Sequence, residues 1–172
     1  MVAKTDLAHE GLSKQFRDHT TERIYVGICW GRLKLDSGVI DAPLSRHPKN
    51  RKKITASQSS GKEAITEFTV LERFPSLTYT EFRLKTGRTH QIRVHMAHIG
   101  HPICGDRTYG SMKAGKLLTN QKIRMAVLGL KRQALHARVL GFVHPVTGED
   151  MSFTSNIPDD IEGLLGVLRS EG

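Results

Sequence analysis

The sequence predicts one α+β domain built on a mainly antiparallel sheet. Residues 63–72 and 77–85 both alternate apolar and polar side chains, and Pro75 lies between them, a pattern typical of two paired strands. Segments with helical spacing lie near both ends and in the middle of the chain. With 172 residues, no internal repeat and no low-complexity linker, we expect a single domain over residues 1–172.

The N-terminal half alternates between helical and extended patterns. Residues 7–17 place Leu7, Leu12 and Phe16 on one helical face, and Asp6 is the expected N-cap. Residues 23–32 mix β-branched and aromatic side chains with small ones, which favours a strand. The chain then continues with a short extended segment at 39–41, which Pro43 ends, and with a basic run at 46–53 that has no periodicity. The two alternating strands follow.

The C-terminal half begins with a helix expected over residues 89–99, where Ile92, Met96 and Ile99 share a stripe and Gly100 follows. A last helix is expected at 159–169, opened by Pro158, with acidic residues in its first turn and Arg169 in its last. Between them we predict a short helix late in residues 113–131 and strands at 132–143 and 151–154.

The net charge of +9 points to a polyanionic partner, because Lys and Arg clusters gain affinity by releasing the counterions of phosphates. A basic enzyme without such a partner is the alternative. The run at 46–53 is expected to contact a nucleic-acid backbone rather than to be only a solvated loop. Its basic side chains are Arg46, Lys49, Arg51, Lys52 and Lys53.

Several functional classes lack support in the sequence. No run of about 18 apolar residues and no signal-peptide pattern occurs, so no membrane association and a cytoplasmic location are expected. Cys29 and Cys104 form no CxxC pair and are expected to be free thiols. No GxSxG elbow, P-loop or GxGxxG motif supports a hydrolase or a nucleotide cofactor.

The stretch 84–110 is the richest in functional residue types. A strand ends at a glycine turn and a helix begins, an arrangement that presents unpaired N–H groups to an anion. Arg93 is expected one helical turn past Thr89, where its guanidinium could clamp a phosphate or keep a carboxylate ionised. The residues expected to bind the anion at this turn are Arg88, Thr89, His90 and Gln91.

The histidines of this stretch also raise a metal interpretation, which we do not favour. Zinc sites use ligands that share a helix face and are completed by cysteine or carboxylate. The spacing of these histidines fits poorly, and no acidic residue lies in the helix. We expect no metal at His90, His95, His98, His101 and Cys104.

The motif KTGRTHQIRVHMAHIGHPICGDRTYG resembles the signature of the RluA-type pseudouridine synthases. ERIYVGICWG is similar to that family's tyrosine strand, and RQALHARVLGFVHPVTGEDMSF to its closing hairpin. The resemblance implies the pseudouridine synthase fold, a mixed, mainly antiparallel sheet with flanking helices. It also implies isomerisation of a flipped uridine in rRNA or tRNA without a metal or cofactor.

The resemblance assigns three site residues. Tyr25 matches the tyrosine that stacks on the uracil, and Arg93 matches the arginine that pairs with the nucleophilic aspartate. Ile103 falls where the family lines its pocket with an apolar side chain. Taken without the resemblance, Tyr25 is expected to be a half-buried aromatic side chain of a strand.

One departure from the family bears on activity. The family's aspartate lies in an HRLD-type motif before a strand that reads like GLMVVAKT, and this chain begins at MVAKTD. Asp106 matches a family position that is not the nucleophile. We therefore expect an N-terminally truncated, monomeric catalytic portion in which Arg93 has no carboxylate partner and which is inactive alone. The alternative is a non-enzymatic RNA-binding module.

Overall fold

The structure, a computed structural model, describes residues 2–50, 53–57, 61–110 and 118–171. Its helices are α1 (Asp6–Arg17), α2 (Gln91–His98), α3 (Gln121–Leu128) and α4 (Asp159–Glu171). Its strands are β1 (Glu22–Trp30), β2 (Ser37–Asp41), β3 (Leu44–Arg46), β4 (Ile54–Ala56), β5 (Ile65–Arg73), β6 (Leu77–Leu84), β7 (Leu135–Val143) and β8 (Asp150–Thr154). The predicted α+β class is confirmed.

The main sheet has six strands in the order β2-β5-β6-β1-β7-β8. Every pairing among the described strands is antiparallel, so no parallel pair accompanies the predicted antiparallel ones. β5 and β6 form the predicted hairpin, with Phe68 opposite Phe82. β1 lies between β6 and β7, and its register places Tyr25 opposite Phe82.

Two cores lie on the two faces of this sheet, because side chains alternate along each strand. Val26 and Ile28 of β1 face one core, which α3 and α4 complete with Ile123 and Leu165. Cys29, with Tyr25 at the margin, faces the other core, which α2 completes with Ile92 and Met96. β1 therefore carries Tyr25 on the same face as α2.

Two short strands that the sequence analysis did not predict flank the basic run 46–53. β3 and β4 pair as a separate two-stranded ribbon, with Leu44 opposite Ala56 and Arg46 opposite Ile54. Residues 47–50 and 53 lie in the connection between these two strands. Strands of three residues are too short to show a period in the sequence, which explains why they were not predicted.

Two helix starts also differ from the predictions. Thr5, not Asp6, caps α1, because its hydroxyl accepts the N–H of Ala8 at 3.3 Å. α2 begins at Gln91 because His90 adopts a left-handed conformation with φ of 56°. Within the described ranges, no helix has the length and apolar character needed to cross a membrane.

Candidate active site

A buried polar network fixes the start of α2 on the sheet. The side-chain oxygen of Gln91 accepts hydrogen bonds from the Thr86 hydroxyl at 2.8 Å and the Arg88 N–H at 2.9 Å. Its amide nitrogen donates to the carbonyl of Ile65 and to the Thr66 hydroxyl, both at 3.0 Å. Gln91 is 2% exposed, so the prediction that it contacts RNA is corrected: it anchors the turn from inside.

His95 extends this network beneath α2. Its Nε2 lies 3.0 Å from the carbonyl of Ala42, to which only an N–H can donate, and its Nδ1 lies 2.9 Å from the Thr66 hydroxyl. Burial is the main reason that the pKa of His95 is lowered, which favours the neutral ring. His95 is therefore a structural residue, not a metal ligand.

Arg93 projects from the first turn of α2 and binds Asp106 through two parallel hydrogen bonds. Its Nε lies 2.7 Å from Oδ2 and its Nη2 lies 2.8 Å from Oδ1. The side chains are 13% and 0% exposed, respectively. The prediction that Arg93 has no carboxylate partner was wrong. The pair leaves Nη1 of Arg93 free of this contact.

Asp106 is held as a carboxylate by more than Arg93. Burial opposes its ionisation and is the largest single effect, but the hydrogen bonds from Arg93 and from the N–H groups of Tyr109 and Thr108 together lower the pKa of Asp106. The same pair raises the pKa of Arg93. Both groups are therefore charged at neutral pH, and the carboxylate accepts four hydrogen bonds, three at Oδ1 and one at Oδ2.

Tyr109 connects this ion pair to the basic ribbon. The guanidinium carbon of Arg93 lies 5.0 Å from the centre of its ring, within cation–π range. Its hydroxyl accepts the N–H of Ile54 at the start of β4 at 2.9 Å and lies 3.0 Å from Nδ1 of His90. Burial first, and then the Arg93 charge, lower the pKa of His90. The ribbon is thereby tied to the ion pair through one side chain.

A basic cavity of about 440 Å³ opens between the ribbon and the turn before α2. It brings together three of the predicted RNA-contacting residues, Arg46, Arg88 and Thr89, and adds Lys62. Nε of Arg88 donates to the carbonyl of Glu63 at 2.9 Å, which holds its guanidinium at the rim.

The remaining predicted basic contacts lie in the ribbon connection or outside the described residues. Lys49 and Lys53 lie in the ribbon connection, where Nδ1 of His47 accepts the N–H of Lys49 at 3.2 Å. Arg51 and Lys52 lie outside the described residues.

Tyr25 and Ile103 share the core on the α2 face. Tyr25 is half-buried at its margin, and this core also contains Ile92, which directly precedes Arg93. Ile103 is 0% exposed and bridges to the backbone of Cys29. Ile103 is thus a core residue in this structure, and its role in lining the pocket stays a prediction.

Three of the histidines considered as metal ligands have hydrogen-bond partners of their own. Nδ1 of His90 lies 3.0 Å from the Tyr109 hydroxyl, His95 contacts Ala42 and Thr66, and Nδ1 of His101 lies 2.8 Å from the carbonyl of Trp30. Across the described part of the chain, no group of three or more His, Cys, Asp or Glu is arranged to hold a metal ion.

Sequence reasoning missed Asp106 as the partner of Arg93 and Tyr109 as the link to the ribbon. The segment GDRTYG contains the signal for both, because Asp106 binds the N–H groups two and three residues later and so turns Tyr109 back towards α2. An aspartate followed by a turn was visible in the sequence, but its partner was not.

Comparisons with known proteins identify the family of this chain. The family described as RNA pseudouridylate synthase matches residues 1–98, more than half of the chain. The uncharacterised RNA pseudouridine synthase YlyB of Bacillus subtilis is 45% identical over 172 residues, which are 100% of this chain and 52% of that protein. Ribosomal large subunit pseudouridine synthase D of Zymomonas mobilis is 43% identical over 169 residues, 98% of this chain and 51% of that protein. The chain thus spans about half the length of these curated relatives.

Solved structures show the same fold. Human RNA Pseudouridylate Synthase Domain Containing 4 superimposes with a TM-score of 0.74 at 25% identity, covering 96% of this chain and 69% of that one. Human RNA Pseudouridylate Synthase Domain Containing 1 gives a TM-score of 0.73 at 22% identity, covering 98% and 74%. By sequence and by fold, this chain belongs to the RNA pseudouridylate synthase family.

Proposed function

We propose that this chain binds RNA and supplies the tyrosine and arginine side of a site that isomerises uridine to pseudouridine in rRNA or tRNA. The observation that carries the proposal is the Arg93–Asp106 ion pair beside a basic cavity, in a chain of this family. One relative is named a ribosomal large subunit pseudouridine synthase, and another is named an RNA pseudouridine synthase. Large-subunit rRNA is therefore the first substrate to test.

The basic cavity is suited to the phosphate backbone. Arg46, Lys62 and Arg88 converge on it from the ribbon and from the turn before α2, and the Thr89 hydroxyl adds a donor. Guanidinium groups match the two exposed oxygens of a phosphodiester, and no acidic side chain is among the described residues that line this cavity. Backbone binding here orients a strand towards the face that carries Tyr25 and Arg93.

Tyr25 and Arg93 are the residues we assign to the target nucleotide. A half-buried ring at the margin of an apolar core offers a flat surface on which a flipped uracil stacks. Arg93 is already fixed by Asp106, and its Nη1 remains available to a second anionic or carbonyl oxygen. The arginine therefore acts from a fixed position and does not need to reorganise when the substrate binds.

Asp106 is unsuited to act as the nucleophile. Its side chain is fully buried, and its two oxygens accept four hydrogen bonds, from Arg93 twice and from the N–H groups of Thr108 and Tyr109. An attacking carboxylate needs a free oxygen at the substrate. This observation favours a second candidate function, RNA binding without turnover by the chain as given.

Release of tritium from RNA labelled at C5 of uridine tests the two functions. In the isomerisation the bond between C1′ and N1 breaks, a bond between C1′ and C5 forms, and the hydrogen on C5 leaves. We expect binding of uridine-containing RNA with a steep salt dependence and no tritium release. Release above background that persists in Asp106→Asn would show that another carboxylate of this chain acts as the nucleophile, and loss of RNA binding would refute both functions.

A further inference from the structure

A second, smaller cavity lies beside the start of β1, apart from the basic cavity described above. Its volume is about 180 Å³, and it is enclosed by the turn between α1 and β1 and by the end of β6. None of the residues assigned to RNA or to uridine lines it. Its polar lining residues are His19, Thr20, Thr21, Glu22, Arg23, Arg83 and Lys85.

Arg23 is the unusual member of this lining. It is only 8% exposed, yet its Nε and Nη2 atoms are buried without a hydrogen-bond partner among the described residues. Its Nη1 occupies the space above Gly87, where an added Cβ would lie 2.2 Å away, and its guanidinium carbon lies 5.8 Å from the centre of the Phe16 ring. The guanidinium is thus packed in place, although no described carboxylate binds it.

Such a group is costly unless an anion accompanies it. Burial of an unpaired charge is unfavourable, and two N–H groups without hydrogen bonds add to this cost. The pKa of Arg23 is lowered, and burial is the largest cause. The interaction with Tyr25, second in size, raises the pKa, and the charge of Arg88, third in size, lowers it. Water in the cavity would satisfy the N–H groups but would not neutralise the charge.

Two neighbouring side chains share this condition. The hydroxyl of Thr21, which is 4% exposed, and Nδ1 of His19 are also buried without a partner in the described structure. His19 has a left-handed backbone with φ of 58°, which turns the chain into β1. Residues 19, 21 and 23 therefore present a guanidinium, a hydroxyl and an imidazole nitrogen to one small space, and each can donate a hydrogen bond.

The remaining lining charges favour an anion. Arg83 and Lys85 add two cations, while Glu22 is the one carboxylate and lies 3.2 Å from Arg83. Lys85 lies 3.2 Å from Glu67, outside the lining. Donors that approach from several directions suit the four oxygens of a tetrahedral anion better than the two coplanar oxygens of a carboxylate.

We propose that this cavity binds a phosphate group, supplied either by the backbone of an RNA strand or by free inorganic phosphate. The inference rests on the buried donors of Thr21 and Arg23 and does not depend on the proposed isomerase function. If RNA is the source, the site fixes the strand two residues along β1 from Tyr25, which is about 7 Å.

The test is a titration of the ¹⁵N-labelled chain, first with inorganic phosphate at constant ionic strength and then with a short oligouridylate, followed through the backbone amides of residues 19–23. We expect saturable shifts at these amides. Thr21→Val is expected to weaken phosphate binding about ten-fold, and Arg23→Met to weaken it more. Lys131→Ala, at an exposed position outside this lining, is the control and should bind as the parent does.

Stability separates a binding role from a folding defect. Thr21→Val removes an unpaired buried hydroxyl at nearly constant volume, so without phosphate it should unfold at the same or a higher temperature. Saturation by both ligands or by phosphate alone supports the site, and saturation by RNA alone assigns it to the RNA backbone. Absence of saturable shifts with either ligand, or equal affinity in Thr21→Val, would overturn the proposal.

Discussion

Replacing Asp106 by Asn tests whether the Arg93 ion pair organises the site. The substitution keeps an oxygen for the N–H groups of Thr108 and Tyr109 but places an NH₂ group opposite Nε of Arg93, where the present separation is 2.7 Å. Loss of one member of a buried pair costs about 3–5 kcal/mol. Because Arg93 is 13% exposed and the backbone contacts remain, we expect the lower end, about 3 kcal/mol.

The measurement is urea-induced unfolding of the parent and the variant, followed by far-ultraviolet circular dichroism, with thermal unfolding as a second reading. For a domain of this size the expected loss corresponds to a fall in Tm of about 6–12 °C. The pKa of Asp106 is lower in the folded chain than in the unfolded chain. The extra free energy of unfolding of the parent over the variant is therefore fully present above the unfolded pKa of about 3.9, and it is lost as pH falls through the folded pKa.

A matched control is Glu72→Gln, which removes the carboxylate of a half-exposed pair with Arg169. Surface pairs contribute about 0–1 kcal/mol, so this change should be small. A loss below about 1 kcal/mol in Asp106→Asn, with an unchanged urea m-value, would refute our reasoning that the pair is formed and buried in solution.

Three further outcomes are expected. Burial lowers the pKa of His95, so the unfolded chain binds a proton more readily than the folded chain. The free energy of unfolding should therefore fall as pH drops below about 6.5. Urea titrations at several pH values should show that His95→Gln makes this pH dependence weaker. Gly105→Ala should lower the free energy of unfolding by about 3 kcal/mol or more, because φ is +72° and the added Cβ would lie 2.2 Å from the Arg132 carbonyl oxygen. Gly100→Ala, with φ of +84° but open space around the Cβ, should lower it by about 1 kcal/mol in the same assay. Arg88→Ala should lower the slope of log affinity against log salt for RNA by about 0.7–1, and an unchanged slope would place Arg88 outside the RNA surface.

The sequence predicted the sheet well because its strands carry clear period-2 patterns. The β5–β6 hairpin and the last helix follow from local alternation, turn residues and charges at the helix ends. The partner of Arg93 could not be read in this way, because Asp106 lies 13 residues away and is brought back by a turn whose path depends on tertiary packing. The burial of Gln91 was hidden for a related reason: a polar side chain at a helix start looks the same whether it faces solvent or the sheet.

The same limit explains the most informative difference between expectation and structure. The expectation treated Arg93 as an arginine that waits for a carboxylate, but Asp106 already holds it, and Tyr109 packs on its guanidinium while accepting the N–H of Ile54. Tyr109 therefore links the ribbon to Arg93, and the packing of Leu44, Ile54 and Ala56 in one apolar cluster with Val94 of α2 adds to this link. Under the proposed function, we therefore expect RNA bound at the ribbon to act on Arg93 as well, so that backbone binding and positioning of the target nucleotide are coupled.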